Sequence, residues 1–78
     1  MKCLNIGCGK KRFPGAINID IRRTEAVDLV HDLNKIPWPF EDGYFDRILA
    51  LDVLEHLDDL IAAMEEIHRI TKPGALIQ

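Results

Sequence analysis

The feature that most limits the fold is a series of short apolar runs that do not alternate with polar residues. "KCLNI" (Lys2 to Ile6), "AINIDI" (Ala16 to Ile21), "AVDLV" (Ala26 to Val30) and "DRILAL" (Asp46 to Leu51) read as strands, and "ALIQ" (Ala75 to Gln78) begins a fifth. Strands that are apolar at both parities are buried on both faces, which favours a parallel α/β sheet over an antiparallel one with a wet side.

Only one segment carries a strong helical period. Leu57, Leu60, Ile61, Met64, Ile67, Ile70 and Thr71 recur at spacings of three and four and predict one apolar face. Asp58 or Asp59 is suited to cap its start. Lys72-Pro73-Gly74 stops it, because proline cannot continue a helix and glycine supplies a turn. The first crossover has no such helix. Six residues separate Gly9 from Ala16, including Pro14 and Gly15. Parallel strands are usually joined by about a dozen residues or more, so a bare loop is expected there. "DLNKIPWPFEDGYFD" is read as mostly loop, with Trp38 and Phe40 pinning it to the sheet rather than lining a ligand pocket.

A chain of 78 residues makes a single domain, taken as residues 1–78. Its net charge of −3 argues against a nucleic-acid or anionic-membrane partner. The basic clusters Lys10-Lys11-Arg12 and Arg22-Arg23 read as solvated loop charge. The apolar run behind Met1 is too short for a leader or a membrane span, so a cytoplasmic protein is expected. Cys3 and Cys8 form no metal-ligand or redox spacing; they read as reduced, buried residues, and no metal is expected.

The stretch "LNIGCGKK" (Leu4 to Lys11) runs from the first strand into Gly7 and Gly9. Glycine lets another group approach the main chain, and ligands of open α/β sheets sit beyond the carboxyl ends of the strands. A P-loop fails, because Leu4 stands where its first glycine is required and Lys11 where its hydroxyl belongs. A dinucleotide fingerprint fails too, with Arg12 at its third glycine. A ligand without phosphates survives. Asp20 closes the second strand, where a carboxylate can accept from ribose hydroxyls. Asp32 closes the third, where a carboxylate can accept from an adenine amine while the Leu33 N–H donates to the ring. Glycines and two acids on three strand ends describe a site for an adenosine.

"LNIGCGKK", "NIDI", "VHDLNKIPWPFEDGYFDRILALDVLEHL" and "KPGALI" together resemble the successive motifs of class I S-adenosylmethionine-dependent methyltransferases. They are most similar to the small bacterial branch with a shortened first crossover. The resemblance implies a Rossmann-like, mostly parallel sheet with one long helix, incomplete because the family's sheet runs on past the point where this chain stops. It implies S-adenosyl-L-methionine as cofactor, facing Gly7 and Gly9, with Asp20 at the ribose and Asp32 and Leu33 at the adenine. Cys8 and Ile21 accompany these neighbours, and the Leu51 carbonyl matches an acceptor for the cofactor's amino group. Asn5 stands where the family often has an acid.

The implied activity is methyl transfer to an unidentified acceptor. No catalytic residue is obligatory for it; Asp52 and His56 stand nearest by position. Glu55 and His56, in "LEHL", read as helix-start residues, and Met64 and His68 are given no role. The alternative is a non-catalytic remnant that serves as an interaction module. A sheet ending in an open fifth strand predicts a homo-oligomer of the isolated chain.

Overall fold

In the computed structural model, which describes residues 1–50, 53 and 56–78, the apolar runs become five parallel strands. They are β1 (Cys3–Ile6), β2 (Ala16–Asp20), β3 (Leu29–Val30), β4 (Phe45–Leu49) and β5 (Thr71–Ile77), with one helix, α1 (Leu60–Ile70). The sheet order is β3-β2-β1-β4-β5, with every neighbouring pair parallel. The order reverses at β1, whose four residues are all buried. This is the switch point at which open α/β sheets bind ligands.

The pleat sorts the strands into two faces. Leu4, Ile6, Ile19 and Ile48 join Trp38, Phe45, Ile67 and Ile70 in the main core beneath α1. Cys3, Ala16 and Leu49 form a smaller cluster on the opposite face, where Asn5 and Asn18 stand side by side in register.

The helix starts later than its period predicts and turns a different side inward. Asp59 is its cap, accepting from the Ala62 N–H at 3.0 Å. Ala63, Glu66, Ile67 and Ile70 are buried, whereas Leu60, Ile61 and Met64 are exposed. The period is right, but the sequence offers two adjoining apolar stripes. The stripe containing Glu66 wins because that carboxylate is satisfied. It accepts from the Trp38 N–H at 2.7 Å and pairs with Arg69 at 2.8 Å. Arg69 also donates to the Trp38 and Phe40 carbonyls. The "IPWPF" loop is thereby fastened to α1, and the Trp38 indole, donating to the Leu33 carbonyl at 2.9 Å, is core.

Two strands differ from their sequence reading. β3 keeps only the end of "AVDLV", because Thr24 forms a turn: its hydroxyl accepts from the Ala26 N–H and its carbonyl from the Val27 N–H. Ala26 and Val27 are then buried against Cys8. β5 begins at Thr71 rather than Ala75. Phe45 pairs with Thr71 and Arg47 with Leu76, so Lys72-Pro73-Gly74 is absorbed as an irregularity of the ladder. Proline is tolerated there because β5 is an edge strand.

Candidate cofactor site

Three consecutive strand ends surround one cavity of about 510 Å³. β1 delivers Gly7, β2 delivers Asp20 and Ile21, and the segment after β3 delivers Asp32 and Leu33, all of them lining residues. Asp20 and Asp32 therefore line the same cavity beyond the carboxyl ends of the strands. The volume falls within the ~300–1,000 Å³ of small-molecule sites.

Asp20 is held by the backbone around it. Its Oδ2 accepts from the Gly9 N–H at 2.6 Å and its Oδ1 from the Ile21 N–H at 2.6 Å. Oδ1 also accepts from the Arg22 N–H at 3.5 Å, so Oδ2 is the oxygen with a lone-pair direction left for a ligand. Its carbonyl accepts from the His31 N–H at 2.9 Å, which fixes the approach to Asp32. Asp32 closes a turn of its own, Oδ1 accepting from the Asn34 N–H at 2.9 Å. Asn34 in turn accepts from the Asp58 N–H at 2.9 Å, tying this wall to the entry of α1.

The two glycines do different things. Gly7 has a φ of 64°, and a Cβ there would overlap the Val53 side chain. The space expected above Gly7 is thus shared: its glycine identity serves Val53, and the cavity reaches it alongside. Gly9, with a φ of 56°, has open space where a Cβ would stand, yet it does not line the cavity. Its N–H is given to Asp20 instead.

Of the residues expected to touch a cofactor, the structure brings Gly7, Asp20, Ile21, Asp32 and Leu33 to the cavity and leaves Asn5, Cys8 and Gly9 outside its lining. Asn5 turns to the opposite face, donating to the Lys11 carbonyl at 3.2 Å and to Asn18 Oδ1 at 3.0 Å. Cys8 points into the Ala26–Val27 cluster, where burial and the Asp20 charge push its thiol pKa up. Leu51, Asp52 and Glu55 lie outside the described residues. Sequence reasoning missed Arg22, Asn34, Val53 and Leu57, which also line the cavity, whereas His56 was placed at its rim and is found there. Asn34 carried a usable signal, an Asp-x-Asn stretch whose first side chain turns back on the third amide.

A family profile described as a methyltransferase domain matches residues 4–77. The chain belongs to that family. A demethylmenaquinone methyltransferase of Geobacillus stearothermophilus is 32% identical over 62 residues, 80% of this chain and 26% of the relative. Its counterpart from Staphylococcus epidermidis is 29% identical over 69 residues, 88% of this chain and 25% of the relative. An uncharacterized methyltransferase of Schizosaccharomyces pombe is 46% identical over 39 residues, half of this chain and 14% of that one. The chain therefore spans about a quarter of the length of the bacterial relatives. Among the described residues no helix is long and apolar enough to cross a membrane, and no His, Cys, Asp and Glu cluster could hold a metal.

Proposed function

We propose that this chain is the cofactor-binding part of a class I S-adenosylmethionine-dependent methyltransferase. The observation that carries the proposal is the pair Asp20, at the end of β2, and Asp32, two residues past the end of the neighbouring parallel β3, lining one cavity with Gly7. The donor set fits an adenosyl group. Asp20, oriented by three backbone amides, accepts from the ribose hydroxyls; Asp32 accepts from the adenine amine, with the Leu33 N–H beside it. Ile21, Val53 and Leu57 supply apolar wall for the ring. When bound, the cofactor supplies an activated methyl group on a cationic sulfur. The chain's own residues bind and orient it; orientation is the larger part of what a protein adds to such a transfer.

Calorimetric titration with S-adenosylmethionine and S-adenosylhomocysteine tests this reading. The wild-type chain binds both. Asp32→Ala and Asp20→Asn each weaken binding about tenfold or more, because a charged acceptor is worth ~1.5–3 kcal/mol. Asp20→Asn is chosen because asparagine keeps one acceptor for the Gly9 loop. A folded wild-type chain that gives no heat with millimolar ligand overturns the reading and leaves the interaction module.

The position of β5 at the end of the sheet supports self-association of the chain through that edge. Sedimentation velocity at rising concentration is expected to show a dimer; a single monomeric species throughout removes this part of the proposal.

A further inference from the structure

The β1–β2 crossover has no helix, yet its residues are tightly placed. The cause lies on the sheet face opposite the main core. Asn18, in the middle of β2, is fully buried, with every polar atom of its side chain in use. Its Oδ1 accepts from the Phe13 N–H at 2.8 Å and from Asn5 Nδ2 at 3.0 Å. Its two Nδ2 hydrogens are shared among three acceptors, the Phe13 carbonyl at 3.2 Å, the Ala16 carbonyl at 3.1 Å and Asp28 Oδ2 at 3.0 Å. Asn5 reaches the same loop at the Lys11 carbonyl. Asp28 reaches it through Arg12, whose Nη1 lies 2.6 Å from Asp28 Oδ1. Residues 11 and 12 are thus held by groups that contact Asn18, and residue 13 by Asn18 itself.

A buried amide in a central strand costs stability unless all its bonds are made. An aliphatic residue would fill this space without that demand. The network earns its place by what it holds. The other end of the loop carries the site: the Gly7 N–H donates to the Ile19 carbonyl at 2.8 Å, and the Gly9 N–H to Asp20 Oδ2. Asp20 is the proposed ribose acceptor. The loop is therefore suspended between the ligand-facing carboxylate and Asn18.

We propose that Asn18, acting through Asn5 and Asp28, is a positioning residue for the cofactor site, doing for the glycine loop what a crossover helix would do. It touches no ligand. It fixes residues 11–13, so that Gly9 meets Asp20 in one geometry before a ligand arrives. The inference rests on the proposed function for its ligand, but not for its effect on the loop.

Two readouts test it together: calorimetric affinity for S-adenosylhomocysteine and amide hydrogen exchange of Gly9 and Lys11. Asn18→Asp and Asn5→Ala are compared with Ile67→Val, a core variant on the helix side. The expected result is about a tenfold rise in Kd for Asn18→Asp. A smaller rise follows for Asn5→Ala, with faster Gly9 and Lys11 exchange in both. Ile67→Val changes neither readout once its thermal midpoint is matched to that of Asn5→Ala by temperature. If the wild type does not bind, the functional reading falls, while exchange still decides the positioning role. If Asn18→Asp does not fold, Asn5→Ala alone decides. Unchanged exchange at Gly9 in the folded variants, or an equal change in Ile67→Val, overturns the proposal.

Discussion

The two crossovers flanking β1 and β4 solve one problem with opposite chemistry. Between β4 and β5, a helix lays Ala63, Ile67 and Ile70 on the sheet and excludes water by apolar contact. Between β1 and β2, a loop too short for a helix is tied down by a buried amide network around Asn18. Apolar burial is non-directional, so it stabilises without fixing fine geometry. A satisfied polar network is directional and specifies position. The molecule uses the first where bulk stability is needed and the second beneath its candidate site.

The sharpest way to break this contrast is Ile67→Ala. Truncation of a fully buried aliphatic is expected to cost about 2–5 kcal/mol in urea unfolding while leaving ligand affinity of the folded fraction unchanged. A loss of affinity in step with stability would erase the distinction. Glu66→Gln comes next. It removes the charge that fastens Arg69 and the Trp38 amide, and about 3 kcal/mol of destabilisation is expected, the low end for a broken buried pair because Arg69 is partly exposed. Gly7→Ala combines overlap with Val53 and a positive φ, and should cost about 2–3 kcal/mol. Gly9→Ala meets only the φ penalty, about 1 kcal/mol.

Acid titration separates the two regions by carboxylate. Hydrogen bonds from Asn18 and the Arg12 guanidinium hold the Asp28 carboxyl down at about 2. Arg69 and the Trp38 amide hold Glu66 below the usual carboxylate range. In both cases the folded form binds its proton more weakly than the unfolded chain. Each contribution is therefore fully present above the unfolded value near ~4 and lost as pH falls through the folded one. The loop side should keep part of its stabilisation until pH approaches about 2, and Asp28→Asn should flatten that limb of a urea-midpoint profile. The smallest effect is that of Arg12→Ala. Its pair with Asp28 is half-exposed, so only a slight lowering of the urea midpoint is expected.

The parallel sheet was legible because β1, β2 and β4 come from short, largely apolar runs bounded by turn residues, and the site because Gly7, Asp20 and Asp32 fall at or just past strand ends. The inward side of α1 was not legible. Leu60, Ile61 and Met64 are as apolar as the residues that won, and the choice was made by Glu66 finding partners in a distant loop. Asn5 was misplaced for a related reason. It was expected at the site only because it stands where the resembled family often has an acid, whereas its partner is Asn18, thirteen residues away and visible only once the strands are in register.

The contact between Gly7 and Val53 bears on how this sequence can drift. Position 7 is closed to every side chain, by its left-handed backbone and by its neighbour alike. Shrinking residue 53 would lift the overlap and leave a side chain at 7 opposed by its backbone conformation alone. Enlarging residue 53 would press on a peptide with nowhere to retreat. The two positions can therefore vary only together: a side chain at 7 requires a smaller residue at 53.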